Sequence, residues 1–221
     1  MWQALGGLLP LAVAVALSSV PITATILILL SPNRNVAALP FLAGWVTGVA
    51  GLIILCALFA SFLPKPPRRG PDTVTAVLFI IIALALIVLG VVNLRRKAPP
   101  EKAGLSKWLA RVESFGPLAS FAVAVALSFR PKGLLLGVAA GLTLHAASVK
   151  LGVAAVLIII YTVIATSTVV IPITASFIAP RQMEPKLIAA RDWFSHNGRL
   201  LTSLMMFMIG IIILGAGIAS L

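Results

Sequence analysis

The strongest constraint on this chain is a set of six long, almost wholly apolar stretches: 3–30, 36–63, 73–94, 115–143, 151–178 and 200–220. Five contain no Asp, Glu, Lys or Arg, and the fourth contains Arg130 and Lys132. A bilayer core of about 30 Å is crossed by a helix of about 20 such residues. Hydrocarbon offers no partner to the edge of an open sheet, so the spans must be helical. The expected class is an all-α integral membrane protein with six transmembrane helices. Composition agrees, with 61% hydrophobic and 10% charged residues and a mean hydropathy of +1.15. A soluble domain needs about 25% charged residues to cover its surface. The first stretch does not read as a cleavable signal peptide, because it lacks a basic n-region and is too long for an h-region.

Between the spans lie SPNRN at 31–35, the Pro-rich and basic PKPPRRGPD at 64–72, and longer connections at 95–114 and 179–199. In EKAGLSKWLARVES, Leu105, Trp108, Leu109 and Val112 recur at i, i+3, i+4 and i+7. That spacing suits a helix lying in the membrane interface. MEPKLIAARDWFSHNG mixes Leu187, Ile188, Trp193 and Phe194 with Lys186 and Arg191. Solvated loops with aromatic anchors explain both stretches equally well.

The net charge of +12 comes from 17 Lys and Arg against five Asp and Glu. In a chain made of spans this fits loops facing anionic membrane lipids, with no nucleic-acid partner. With six spans, eleven basic residues fall on the side of loops 31–35, 95–114 and 179–199, and four on the other: Lys65, Arg68, Arg69 and Lys150. The positive-inside rule then puts both termini outside the cytoplasm.

AVAVALS occurs at 12–18 and again at 122–128; Pro21 and Pro131 follow the two runs, and Gly6 and Gly116 precede them, all at an offset of 110. IVLG at 87–90 and IILG at 212–215 add a fainter echo in spans 3 and 6. This reads as a three-helix unit duplicated over 1–97 and 115–221, joined by a basic amphipathic linker at 98–114 on the cytoplasmic side. An odd number of spans forces the second copy upside down, and inverted repeats with broken helices are a transporter feature.

Proline in a helix interior removes a backbone donor and clashes with the preceding turn. Helix breaks are therefore expected at Pro21 in span 1 and Pro131 in span 4; Pro172 in span 5 marks a third, for which an ordinary kink is the favoured reading. Ser18, Ser19 and Thr23 surround the first break; Ser128, Arg130 and Lys132 surround the second. Arg130 is sixteenth in its 29-residue stretch. A charge at mid-depth costs a few kcal/mol and by default marks a substrate or ion path. No span contains a carboxylate to neutralise it. An anionic ligand fits, with Arg130 as the main contact, Lys132 raising the local potential and the amides of the half-helix opened by Gly133 assisting. A re-entrant tip at the interface is the alternative.

Other chemistry is not encoded. Cys56 is the only cysteine, which excludes a Cys-based zinc site, a disulfide framework and a paired-thiol carrier within the chain. His145 and His196 are isolated, and no metal site, cofactor site, catalytic constellation or phosphate-binding loop is present, so an enzyme is not expected. Asn93, Tyr161, Thr162, Thr166 and Thr168 are explained by packing hydrogen bonds.

The six-span plan, the duplicated AVAVALS…P break and the segment RNVAALPFLAGWVTG at 34–48 resemble the LysE-type exporter superfamily. Within it the chain is most similar to the actinobacterial peptidoglycolipid-addressing family, which includes sulfolipid addressing. The resemblance spans nearly the whole chain. It implies an inner-membrane protein that helps glycolipids reach the cell envelope, beside a larger lipid exporter. Superfamily relatives often carry acidic or Asn-rich residues at the breaks; here Ser18–Ser19–Val20–Pro21 and Ser128–Phe129–Arg130–Pro131 stand instead. That departure favours an anionic head group over amino-acid or metal export. The expected function is translocation of an anionic lipid or small anion. The alternatives are a non-transporting accessory subunit and a LysE-like small-solute exporter. A homodimer is expected by analogy alone.

Overall fold

The computed structural model describes residues 2–63, 73–95 and 116–219. They form eight helices and, among the described residues, no strand. In chain order these are α1 (Trp2–Ala16), α2 (Ser19–Leu30), α3 (Arg34–Ser61), α4 (Thr73–Arg95), α5 (Pro117–Ser128), α6 (Pro131–Ala146), α7 (Leu151–Ile178) and α8 (Pro180–Ile218). Four helical segments are long and apolar enough to cross a membrane: α3, α4, α7 and His196–Ile218 of α8. The other two apolar stretches are bent pairs, α1–α2 at 45° and α5–α6 at 63°. Counting each pair as one span makes six.

The central helices are α3 and α7, each 28 residues long and unbroken. Phe41, Trp45, Val49 and Ile53 of α3, and Leu157, Tyr161, Ala165, Val169 and Ile173 of α7, recur every four residues and are buried. That period puts each set on one face of its helix. α3 packs along α5 and α6, while α7 packs along α1 and α2; α4 and α8 pair with each other. Residues such as Leu58, Ile81, Val88, Ile159, Val163 and Ile211 are exposed on the outside. This is the surface expected where the surrounding solvent is lipid.

Apolar surface gives little drive for helix association in lipid, so close backbone approach matters more. GWVTG places Gly44 and Gly48 one turn apart on α3, and GVAAG does the same for Gly137 and Gly141 on α6. A Cβ on Gly44 would strike the Phe121 carbonyl oxygen, and one on Gly48 would lie 2.6 Å from Ser128 Oγ. Farther along, Gly137 meets Leu52, and a Cβ on Gly141 would lie 2.7 Å from the Cys56 backbone. The contacts rise together along both chains, so α3 runs parallel to α5 and α6 on both sides of their bend. α4 and α8 run antiparallel, with Gly90 beside Ser203 and Met206, Gly210 beside Ala83 and Ile87, and Gly217 beside Ala76 and Ile80.

Two sequence expectations need correction. α7 continues unbroken through Pro172, so this proline is not a helix break. It removes a single ladder bond in a helix whose Val169 and Ile173 are held in the core. The stretch 183–198 is not a separate loop or interfacial helix either, but the first part of the 39-residue α8. Met183, Leu187, Ala190, Phe194 and Gly198 form an inward stripe, with Leu187 and Gly198 buried. The polar residues Arg181, Glu184, Lys186, Asp192 and His196 are exposed. At about 1.5 Å per residue α8 is about 58 Å long, well beyond the bilayer core. The linker 98–114, with its stripe of Leu105, Trp108, Leu109 and Val112, lies outside the described residues.

Identical substitutions should separate close-approach glycines from the others. Gly141→Ala is expected to destabilise the protein by about 1–3 kcal/mol through overpacking. Gly51→Ala, whose Cβ meets nothing within 4 Å, should be neutral or stabilise by up to about 1 kcal/mol. Thermal unfolding in detergent compares the two.

Candidate functional site: two broken helices

Both breaks lie a few residues from a proline, and the proline sits inside the first turn of the second half-helix. Pro21 is the third residue of α2 and Pro131 the first of α6. A first-turn N–H has no partner within its own helix, so proline is tolerated there. Its ring, however, excludes the carbonyl four residues back. For Pro21 this is Leu17, and the chain turns extended at Ser18 (φ −75°, ψ 119°). For Pro131 the restriction on the preceding residue adds to the effect, and Arg130 is extended (φ −68°, ψ 155°).

The first break is covered. Pro21 and Ile22 are buried, and Ser18, Ser19 and Thr23 are half-buried. The Thr168 hydroxyl of α7 donates to the carbonyl of Ala16, the last residue of α1, at 2.7 Å. Ser19 Oγ lies 2.9 Å from Thr202 Oγ1 of α8, and Gly198 of α8 admits the Ser19 side chain. Thr25 donates to the Pro21 carbonyl at 2.8 Å. Ser18 makes no side-chain capping bond.

The second break faces outward on one side and inward on the other. It lies beside Gly48, the fifteenth of the 28 residues of α3. Ser128 is buried against that glycine, and its hydroxyl is 3.5 Å from the Ala124 carbonyl. Gly133 approaches the Ser128 carbonyl so closely that a Cβ would collide with it. Phe129, Arg130 and Pro131 are exposed. Lys132 points the other way: its Nζ is enclosed and has no hydrogen-bond partner among the described residues. It shares a helix face with Leu136 and Ala139, which are fully buried. No side chain caps the α6 N-terminus.

The predicted polar residues therefore form two groups. Ser18, Ser19 and Thr23 gather at the first break, and Ser128, Arg130 and Lys132 at the second. The expected division of labour changes, since the enclosed charge is Lys132 and the exposed one Arg130. The only described carboxylates, Glu184 and Asp192, are exposed on α8, and Asp192 pairs with Arg191 at 3.2 Å. The contacts of Thr168 and Thr202 with the first break have no local sequence signature. Of the other polar residues in the spans, Thr162 and Thr166 bond within α7, and Asn93 bonds across to Ser203 of α8 at 2.9 Å.

A family model described as Sap, sulfolipid-1-addressing protein, matches residues 8–219. The chain belongs to this family. The matched region holds both breaks and all of α2 to α8. No curated protein and no solved structure matches the chain. Membership in the sulfolipid-1-addressing family ties these apolar helices to a membrane protein involved in lipid addressing.

The Thr168 bond can be tested by an isosteric change. Thr168→Val should destabilise the protein by about 0.6 kcal/mol, the average for hydrogen bonds between membrane helices, and by no more than about 1.7 kcal/mol. Thr174→Val is the control, because Thr174 is exposed and bonds only within its own helix. Thermal unfolding in detergent should leave the control near wild type.

Proposed function

We propose that this protein is a six-span, inverted-repeat transporter that moves an anionic lipid across the plasma membrane, holding the head-group charge at the second break. The observation that carries this reading is the enclosed Lys132 ammonium, without a hydrogen-bond partner among the described residues, on the first turn of an uncapped half-helix. A buried cation without a partner is strongly unfavourable unless something neutralises it. The first-turn amides add their own preference for negative charge. Membership in a family named for lipid addressing supports a lipid as the bearer of that charge.

The repeat is supported by the way the helices exchange roles. α3 lies on the broken pair of the second half, α7 on that of the first, and α4 pairs with α8. The two central helices are equal in length, as are α4 and His196–Ile218, at 23 residues each. The parallel course of α3 beside both α5 and α6 supports a broken span over a re-entrant loop.

In this reading Lys132 anchors the head group and Arg130 receives it at the surface. Lys132→Gln should weaken binding of an anionic lipid by about one to two decades, the size of one charge-assisted contact. Arg130→Gln should weaken it less, and Arg130→Lys less again, since only the bidentate geometry is lost. Binding in nanodiscs and flux in proteoliposomes of the purified protein measure both steps. Binding without flux would identify an accessory subunit; unchanged binding in Lys132→Gln would refute the anion site.

Orientation follows from the basic residues, with both termini outside. On a Cys56→Ser background, a cysteine at Ser148 should react with an impermeant thiol reagent in intact cells. A cysteine at Glu184 should react only after permeabilisation.

A further inference from the structure

The surface around the second break indicates by which route its ligand arrives. On α5, Leu118, Phe121 and the adjoining Phe129 are exposed; on α6, Pro131, Leu134 and Val138 are exposed. These residues follow helical spacing, so each half-helix turns an apolar stripe outward. Arg130 stands between the two stripes, exposed, with no hydrogen bond or ion pair to its guanidinium among the described residues. Two residues on, Lys132 lies on the opposite face of the same turn, with its ammonium enclosed. One cation is therefore presented to the outside among apolar side chains, and a second lies inside behind it. The first break presents nothing similar, because Pro21 and Ile22 are buried and Ser19 is bonded to Thr202.

A water-soluble anion needs a hydrated approach, yet the immediate neighbours of Arg130 on the exposed side are Phe129, Pro131 and Leu134. An amphiphile suits that surface better, with its negative head group at the cations and its hydrocarbon on the stripes. We propose that the second break is a lateral portal: an anionic lipid enters from within the bilayer, its head group passing from Arg130 to Lys132 while its acyl chains stay outside on α5 and α6. This inference rests on the reading of the break as an anion site and adds the direction of loading. The break at Phe129–Arg130 makes such entry possible, since it interrupts the helical wall where the head group must pass.

The test uses the full-length protein in phosphatidylcholine nanodiscs with two probes of one head-group chemistry. These are a phosphatidate with a photoreactive group near the end of an acyl chain, and glycerol 3-phosphate in solution. Cross-links are expected on the exposed residues of α5 and α6. They should fall about tenfold or more in Lys132→Gln, as expected for loss of a charge-assisted contact. Millimolar glycerol 3-phosphate should not compete. Leu134→Ser/Val138→Ser should reduce lipid cross-linking several-fold. Mapping in the wild-type protein provides a readout independent of how the variants fold. If glycerol 3-phosphate competes and the stripe variants bind lipid normally, the lateral route is overturned and the anion site stands. If Lys132→Gln changes neither probe's binding, the anion site fails and the portal fails with it.

Discussion

In hydrocarbon a backbone N–H or C=O without a partner costs several kcal/mol, and no water is at hand to replace the missing bond. A helix can be interrupted there only where neighbouring helices manage the interruption, and the rest of this structure is arranged around two such places. At Leu17–Ser18 the solution is closure: Thr168 takes up the Ala16 carbonyl, and α8 covers the start of α2. At Phe129–Arg130 it is close approach, with Gly48 admitting Ser128 and Gly133 lying against the Ser128 carbonyl. The unbroken helices α3 and α7 hold the broken pairs, and their four-residue stripes of buried side chains give the bundle its interior.

The two broken pairs differ in what lies over their breaks. The extended first part of α8 packs inward through Met183, Leu187 and Phe194 and leaves its charges outside. α2 is correspondingly well covered, and eight of its twelve residues are buried. Only three of the twelve residues of α5 are buried, and the break that follows it reaches the surface. A sequence duplicated at AVAVALS thus gives one sealed break and one open break, and both cations in the spans belong to the open one.

Much of this was legible in the chain. The six apolar stretches foretold the helices because lipid leaves the backbone no other way to satisfy itself, and each break lies within three residues of its matched proline. Pro172, which has no counterpart in the repeat and reads best as an ordinary kink, leaves its helix continuous, because a single missing bond breaks a helix only if packing does not hold it. GWVTG and GVAAG were visible as glycine pairs one turn apart, but no local pattern says which helix they will meet. The extension of α8 was hidden because an amphipathic stripe reads alike for an interfacial helix and for one packed on protein.

The charged pair separates the two levels most sharply. The sequence by itself determined that Arg130 and Lys132 stand on either side of Pro131 in an apolar stretch, with no carboxylate in any span to neutralise them. Helical geometry adds that residues two apart point in nearly opposite directions, at about 100° per residue. Which of the two turns inward was decided only by tertiary packing. α6 is held by α3, α4 and α1 on the face that carries Leu136 and Ala139. That choice encloses Lys132 and leaves Arg130 outside, because the burial of a helix face depends on which neighbours it meets, and those neighbours are distant in the chain.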